Sequence, residues 1–399
     1  MERCRNGDNT RFKIMFNDER RKLRISRQAA CAIPLVKLRS SMRRARLENR
    51  PRIPHSLKDL DKVLRRKKWK ALSRTLDGKD NVYAGRAGSA AEKTLSLVFF
   101  TRRMCKYLRK VKKIYCDATF SPVPRGMKAH QVWTISTVLM HHAFPLVRVL
   151  MRRRTTKTYQ AALDHISHLA PGFQPEEVMC DYEPAEMKAL HRKFPNARLS
   201  GCLFHYAKAV GSHLKKLKMV RLIRKNARVR TLCRMMCVLP LLPHDRIKEG
   251  FLVICDQIVK KRVSHKMHRA VTYWIRTWLP KVHVLSVCGC TDRTTNACES
   301  DNRMFQDSVR HPRPNVWDFM DGILDMEDCT QQDLYVIRRR KASRARAVTA
   351  EANDETVRAL TALLKEDAIS VRSFLKEASY TIVKSMNRGL NGRKKKKNV

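Results

Sequence analysis

The sequence predicts an α/β protein: a mixed sheet with flanking helices, an all-helical insertion, and basic helical arms at both ends. Two observations carry this. Between residues 111 and 203 three strand-like runs follow one another, and strands then alternate with helices, the order of a mixed sheet with helices packed on it. From 204 to about 280 the strand signal vanishes and apolar residues recur at helical spacing.

Residues 1–90 are basic and poor in aromatics. RRKLRISR, RSSMRRARLENR and VLRRKKWKALSR read as helical or partly disordered arms, broken at PRIPHS and GRAGS. KTLSLVFFTRRMCKYLRK is expected to be a helix leading into the strand VKKIYCDATF. After a turn at PRG, HQVWTISTVLM and FPLVRVLMRR form two more strands, supported by their Val, Ile, Trp and Thr content. TTKTYQAALDHISHLAPG is a helix opened by Thr and closed by Pro-Gly. EEVMCD is a short strand, EPAEMKALHRKF a helix and ARLSGCLF a strand. In the helical block, Ile247, Phe251, Ile254, Cys255 and Ile258 share one face, as do Val263, Met267, Ala270, Val271 and Trp274. Helices follow at TTNACESDNRMFQDSV and from NVWDFMDGIL, and the chain ends in charged helix and GRKKKKNV. The expected division is 1–90 a basic arm or partial DNA-binding region and 91–203 the first part of a catalytic core. The helical insertion is 204–285, the last core helix region 286–330, and the basic helical C-terminal region 331–399.

The chain carries 85 Lys+Arg against 36 Asp+Glu, a formal charge of +49. Such an excess calls for a polyanionic partner, and nucleic acid fits best because neutralised phosphates release counterions. A membrane is not expected: no single basic amphipathic helix dominates, and CVLPLLP, the most apolar stretch, is too short to span and holds two prolines. Thirteen cysteines without a secretory leader predict reduced thiols in cytosol or nucleus.

Asp117 ends the first strand and Asp181 the short fourth one, so both can converge at the edge of a sheet. Glu299 lies in a later helix. Three carboxylates meeting in one place repel each other unless a cation sits among them, and Mg²⁺ suits such a site because it takes oxygen ligands and few protein groups. Read alone, each acid is more ordinary: Asp117 and Asp181 as turn or cap residues, Glu299 as part of a solvated stripe with Thr295, Asn302, Arg303 and Gln306. Glu183, Glu186, Asp292 and Asp301 are rival carboxylates. Cys202 and His205 are spaced like half of a zinc site that Cys288 and Cys290 could complete, but no zinc site is assigned. Trp133, Trp274, Trp278 and Trp317 are expected in the core.

YCDATF, MCDYEPAE, GCLFHYAKAV and RTTNACESDNR, followed by HPRPNVWDFMDGI, resemble the successive blocks of Mutator-like element (MULE) transposases over roughly residues 85–330. The resemblance implies an RNase H-like core with a helical insertion before the last catalytic acid. It implies Asp117, Asp181 and Glu299 as the catalytic, metal-holding acids, with two Mg²⁺ or Mn²⁺ ions. Cys202 and His205 match the family's Cys-x-x-His element and, with Lys112, Lys113 and Arg303, are candidates for DNA contact or structure. Two features depart from the family. No WRKY- or FLYWCH-type zinc module is visible in residues 1–90, and Ala118 stands where the family more often has Gly.

The expected function is a DDE transposase that cuts and joins DNA at transposon ends. DNA ends and target DNA would be its partners, it would act as a homo-oligomer, and it would be nuclear, with GRKKKKNV as a candidate signal. The rival is a transposase-derived, catalytically inactive DNA-binding protein with a regulatory or architectural role. A basic RNA-binding protein would need aromatic-rich strand faces, which are not seen.

Overall fold

In the computed structural model the longest strands form where β-branched and aromatic residues are densest: β3 (Lys113–Thr119), β4 (Gln131–Leu139) and β5 (His142–Met151). They make an antiparallel meander. The described residues are 1–5, 12–23, 35–139, 142–290, 292–294, 296–309, 311–339 and 348–391. The tail GRKKKKNV, with its expected nuclear signal, and Thr295 of the expected polar stripe lie outside them.

Seven strands form one sheet in the order β1-β2-β5-β4-β3-β6-β7. Here β1 is Tyr83–Ala87, β2 Ser96–Phe99, β6 Glu177–Cys180 and β7 Arg198–Gly201. Strands β6 and β7 run parallel to β3, as helical crossovers require. Thus β3, which carries Asp117, is interior rather than at an edge, and Asp117 lies within the strand rather than at its end.

Among the described residues four α-helices precede the sheet: α1 (Glu2–Arg5), α2 (Phe12–Lys22), α3 (Leu35–Glu48) and α4 (Leu57–Arg65). Between β2 and α8 come α5 (Arg102–Leu108), α6 (Thr156–Leu169) and α7 (Pro184–Lys193). The helical block holds α8 (Leu203–Lys216), α9 (Val220–Lys225), α10 (Ala227–Val238), α11 (Ile247–Lys260) and α12 (Ser264–Thr277). Then follow α13 (Asn296–Ser308), α14 (Val316–Arg338), α15 (Val348–Lys365), α16 (Val371–Ala378) and α17 (Val383–Asn391).

Strand alternation divides the core. Ile114, Cys116, Trp133, Ile135, Val147 and Val149 face one side, under α5, α6 and α7. Leu97, Phe99, Val132 and Leu150 face the other, against α4, α13 and α14. The helical block has its own core around Trp274, joined to the sheet through Tyr115, Met179 and Cys202. All four tryptophans expected inside are buried, and no described helix is long and apolar enough to cross a membrane.

Two segments differ from expectation. Residues 93–110 are not one helix: Leu95 to Phe100 are buried, Ser96–Phe99 among them form β2 between β1 and β5, and α5 starts only after Thr101. A strand buried on both faces is continuously apolar and has no period to distinguish it from a helix. Nor is 57–90 an arm. Leu57, Leu60 and Leu64 of α4 enter the core, and β1 is the edge strand of the sheet.

Candidate active site

Asp117, Thr134 and Arg148 are opposed in neighbouring strands, forming a row across β3, β4 and β5. Their side chains share the face that α13 covers. Helix α13 grips this row at both ends. Asp301 accepts two hydrogen bonds from Nη2 of Arg148, at 2.9 and 2.8 Å. Asn302 donates to Oδ2 of Asp117 at 2.5 Å, and Gln306 donates to Thr119 at 2.8 Å. The approach to α13 is tied down as well. Tyr115 donates to Asp292 at 3.0 Å, and the first residue of α8 donates its N–H to the carbonyl of Arg293 at 3.2 Å. The starts of α8 and α13 are thereby held together, which brings Glu299 to His205.

Asp181 follows β6 directly, and its place is fixed by its neighbour. The ring of Tyr182 lies over Gly201 so closely that a Cβ there would sit 2.2 Å from it, and Tyr182 packs edge-on to Trp278. Across this contact β7 ends at Gly201 and Cys202 directly precedes α8, so His205 enters the site from the first turn of that helix.

The result is a compact cluster. Donor atoms of Asp117, Asp181 and His205 lie within 4.8 Å of one another, the only such group among the described residues. Nδ1 of His205 meets Oδ1 of Asp181, and neither atom has another hydrogen-bonding partner. Nε2 of His205 is 3.6 Å from Glu299 Oε1. Asp117 is 5% exposed, whereas the side chains of Asp181 and Glu299 are 33% and 22% exposed. The cluster is therefore closed from beneath and open above.

Burial pushes the Asp117 carboxyl up to about 7, with Asp181 and Glu299 adding to the shift and His205 opposing it. For His205, burial opposes the charged ring, but Cys202 and the bond to Asp181 outweigh it and push the pKa up to about 12. An imidazolium between Asp181 and Glu299 thus relieves their repulsion.

The rival carboxylates are otherwise engaged. Glu183 pairs with Arg154, Asp292 with Tyr115 and Asp301 with Arg148. Glu186 is wholly buried and accepts the Trp133 indole N–H at 2.7 Å, and burial pushes its pKa well up. Cys202 is buried, and Cys288 and Cys290 are not part of the metal-competent group. Arg303 is exposed and bonds only within its own helix, to Glu299 O and Ser300. Lys112 and Lys113 lie away from the acids. They sit where β3 begins, paired with Glu176 and Glu177 at 3.2 and 3.1 Å, and Asp117 is four residues further, on the order of 13 Å along the strand.

Sequence reasoning gave Asn302 to a solvated face and left His205 without a role. The Cys-x-x-His spacing was visible. What sequence lacked was the pairing of β6 with β7 that sets His205 beside Asp181.

The residues fit a divalent cation: two carboxylate oxygens and an imidazole nitrogen converge, and two of these atoms have only each other. A mixed sheet, flanking helices and this Asp/Asp/His cluster are consistent with an RNase H-like catalytic arrangement. A MULE transposase domain is detected over residues 113–209, part of a much longer chain. The match contains Asp117, Asp181, Cys202 and His205; Glu299 lies beyond it. No curated protein matches the chain.

Proposed function

We propose that the chain is a MULE-type DDE transposase that cuts and joins DNA strands, with an RNase H-like core interrupted by the 204–285 helical insertion. One observation carries this reading: the convergence of Asp117, Asp181 and His205, inside the segment matching the MULE domain, with Glu299 alongside. Asp117 and Asp181 would hold divalent cations, Mg²⁺ or Mn²⁺, from the sheet side, and Glu299 would complete the set from α13. Two such ions, when bound, activate a water for attack on a phosphodiester and stabilise the leaving oxygen.

The chain's own residues do the rest. Asn302 fixes the rotamer of Asp117. His205 holds Asp181 and faces Glu299, keeping two solvent-accessible carboxylates in register. The open side of the cluster admits a DNA strand, while the Arg148–Asp301 anchor keeps α13, and so Glu299, over the row.

The test is Mg²⁺-dependent nicking of duplex DNA bearing the inverted repeats that flank the coding sequence, compared with Asp117→Ala. Nicking by the parent and none by the variant is the expected result. Binding without nicking by the parent would instead support the DNA-binding, non-catalytic reading.

A further inference from the structure

At the edge of the sheet away from Asp181 lies a cleft of about 870 Å³ between β1, β2, α5 and the segment after α4. Strand order and register fix its place. The cleft reaches Phe100, just past the end of β2, and Leu169, which closes the helix leading to the start of β6. Phe99 opposes Arg148, Arg148 opposes Thr134 and Thr134 opposes Asp117, so the end of β2 is level with Asp117 but three strands away. From strand spacing, the near wall of the cleft is about 15 Å from Asp117.

The lining is cationic. Lys70, Arg74, Lys79, Arg102, Lys106 and Arg109 all contribute, and all are exposed. Among the described residues none of the six forms an ion pair, although Arg103 next to them does, with Asp77. The one acid in the lining, Asp80, is turned inward: its oxygens accept the backbone N–H groups of Asn81 and Arg103 at 2.8 and 3.3 Å. Six unpaired cations around a concave surface repel one another and concentrate positive potential there. Tyr83 and Phe100 give the cleft a partly apolar wall.

We propose that this cleft binds the phosphate backbone of duplex DNA, as a contact separate from the carboxylate cluster. It rests on the reading of DNA as the substrate, but not on catalysis. A duplex lying at both places would be held at least about 4 base pairs from the point of cleavage, at 3.4 Å per pair. The chemistry is phosphate recognition without base readout, since long cationic side chains supply the contacts.

The experiment measures binding of the full chain to a 30-base-pair duplex in EDTA, across salt concentrations, so that nicking plays no part. The variant carries Lys70→Gln, Arg102→Gln, Lys106→Gln and Arg109→Gln. With about 0.9 counterions released per phosphate, the slope of log K against log salt should shrink by about 3–4, and affinity at 0.15 M salt should fall on the order of 10²-fold. A charge-keeping variant, with Lys70→Arg, Arg102→Lys, Lys106→Arg and Arg109→Lys, should keep the parental slope and shows that the cleft still folds. A control removes the same charge from exposed positions of the helical block, with Lys248→Gln, Lys266→Gln, Arg269→Gln and Arg276→Gln. An unchanged slope in the first variant, an equal loss in the control, or a loss confined to RNA overturns the proposal. Normal duplex binding by the cleft variant with intact nicking condemns the cleft alone; a lost slope with no nicking by the parent condemns the catalytic reading alone.

Discussion

Replacing Asp301 by Leu should be among the most damaging single changes in the core, and the structure says by how much. The side chains of Arg148 and Asp301 are 7% and 6% exposed, and the carboxylate accepts both bonds from one guanidinium nitrogen. The guanidinium also lies over the ring of Phe305, 4.9 Å from its centroid. Removing the carboxylate leaves a charge that can neither reach water nor lose its proton, so Asp301→Leu should cost about 3–5 kcal/mol. Arg148→Met alone strands a buried carboxylate that can escape by protonation, because burial already pushes its pKa up; it should cost less. The double variant removes both charges and should recover most of the loss. The assay is urea unfolding of parent, singles and double, read as a double-mutant cycle. If Asp301→Leu costs under 1 kcal/mol, or the two losses simply add, the pair does not anchor α13 as argued.

Other expectations follow from the same geometry. Glu186 has a folded pKa raised above its unfolded value by burial, so the stability it contributes is complete below about pH 4 and is lost as pH rises. Glu186→Gln keeps an acceptor for Trp133, and its stability advantage over the parent should grow as pH rises above the ordinary glutamate range; parallel denaturation curves would refute this. At a hundredfold excess over Kd, Mg²⁺ or Mn²⁺ should stabilise the parent by about 2.7 kcal/mol and Asp117→Asn far less, as thermal shift will show. Gly211 of α8 lies against α17, where a Cβ would meet the carbonyl oxygen of Met386 at 2.7 Å. Gly211→Ala must therefore push α17 away, at a cost of about 1–3 kcal/mol, and should speed proteolysis beyond residue 380.

What could be read from sequence was what neighbouring residues decide. β3, β4 and β5 declare themselves by β-branched and aromatic content, and the helical block by its apolar spacing. β2 does not, because its burial on both faces comes from β1 and β5, and β5 lies some fifty residues later in the sequence. Asp117 and Asp181 stand out as acids bordering apolar runs. Their meeting does not, since it depends on β6 pairing beside β3. Asn302 and Arg303 look alike in sequence, yet one bonds Asp117 and the other faces solvent. The partner of Asp301 is 153 residues away, beyond any local pattern.

The allocation of the acids gives the candidate site its strongest physical support. The chain has more than twice as many Lys and Arg as Asp and Glu, so a carboxylate placed at random should find a permanent cation. Asp301 has Arg148, Glu183 has Arg154, and Glu176 and Glu177 have Lys112 and Lys113. Asp117, Asp181 and Glu299, like Glu186 and Asp292, have no such partner, but these three gather around His205. Among the described residues no Lys or Arg forms an ion pair with any of them, and the group that faces Asp181 and Glu299 is the His205 ring. A fixed guanidinium would have stabilised the cluster more cheaply, and would also have filled it. Three converging acids left without one, in so basic a protein, keep a place that a divalent cation can take.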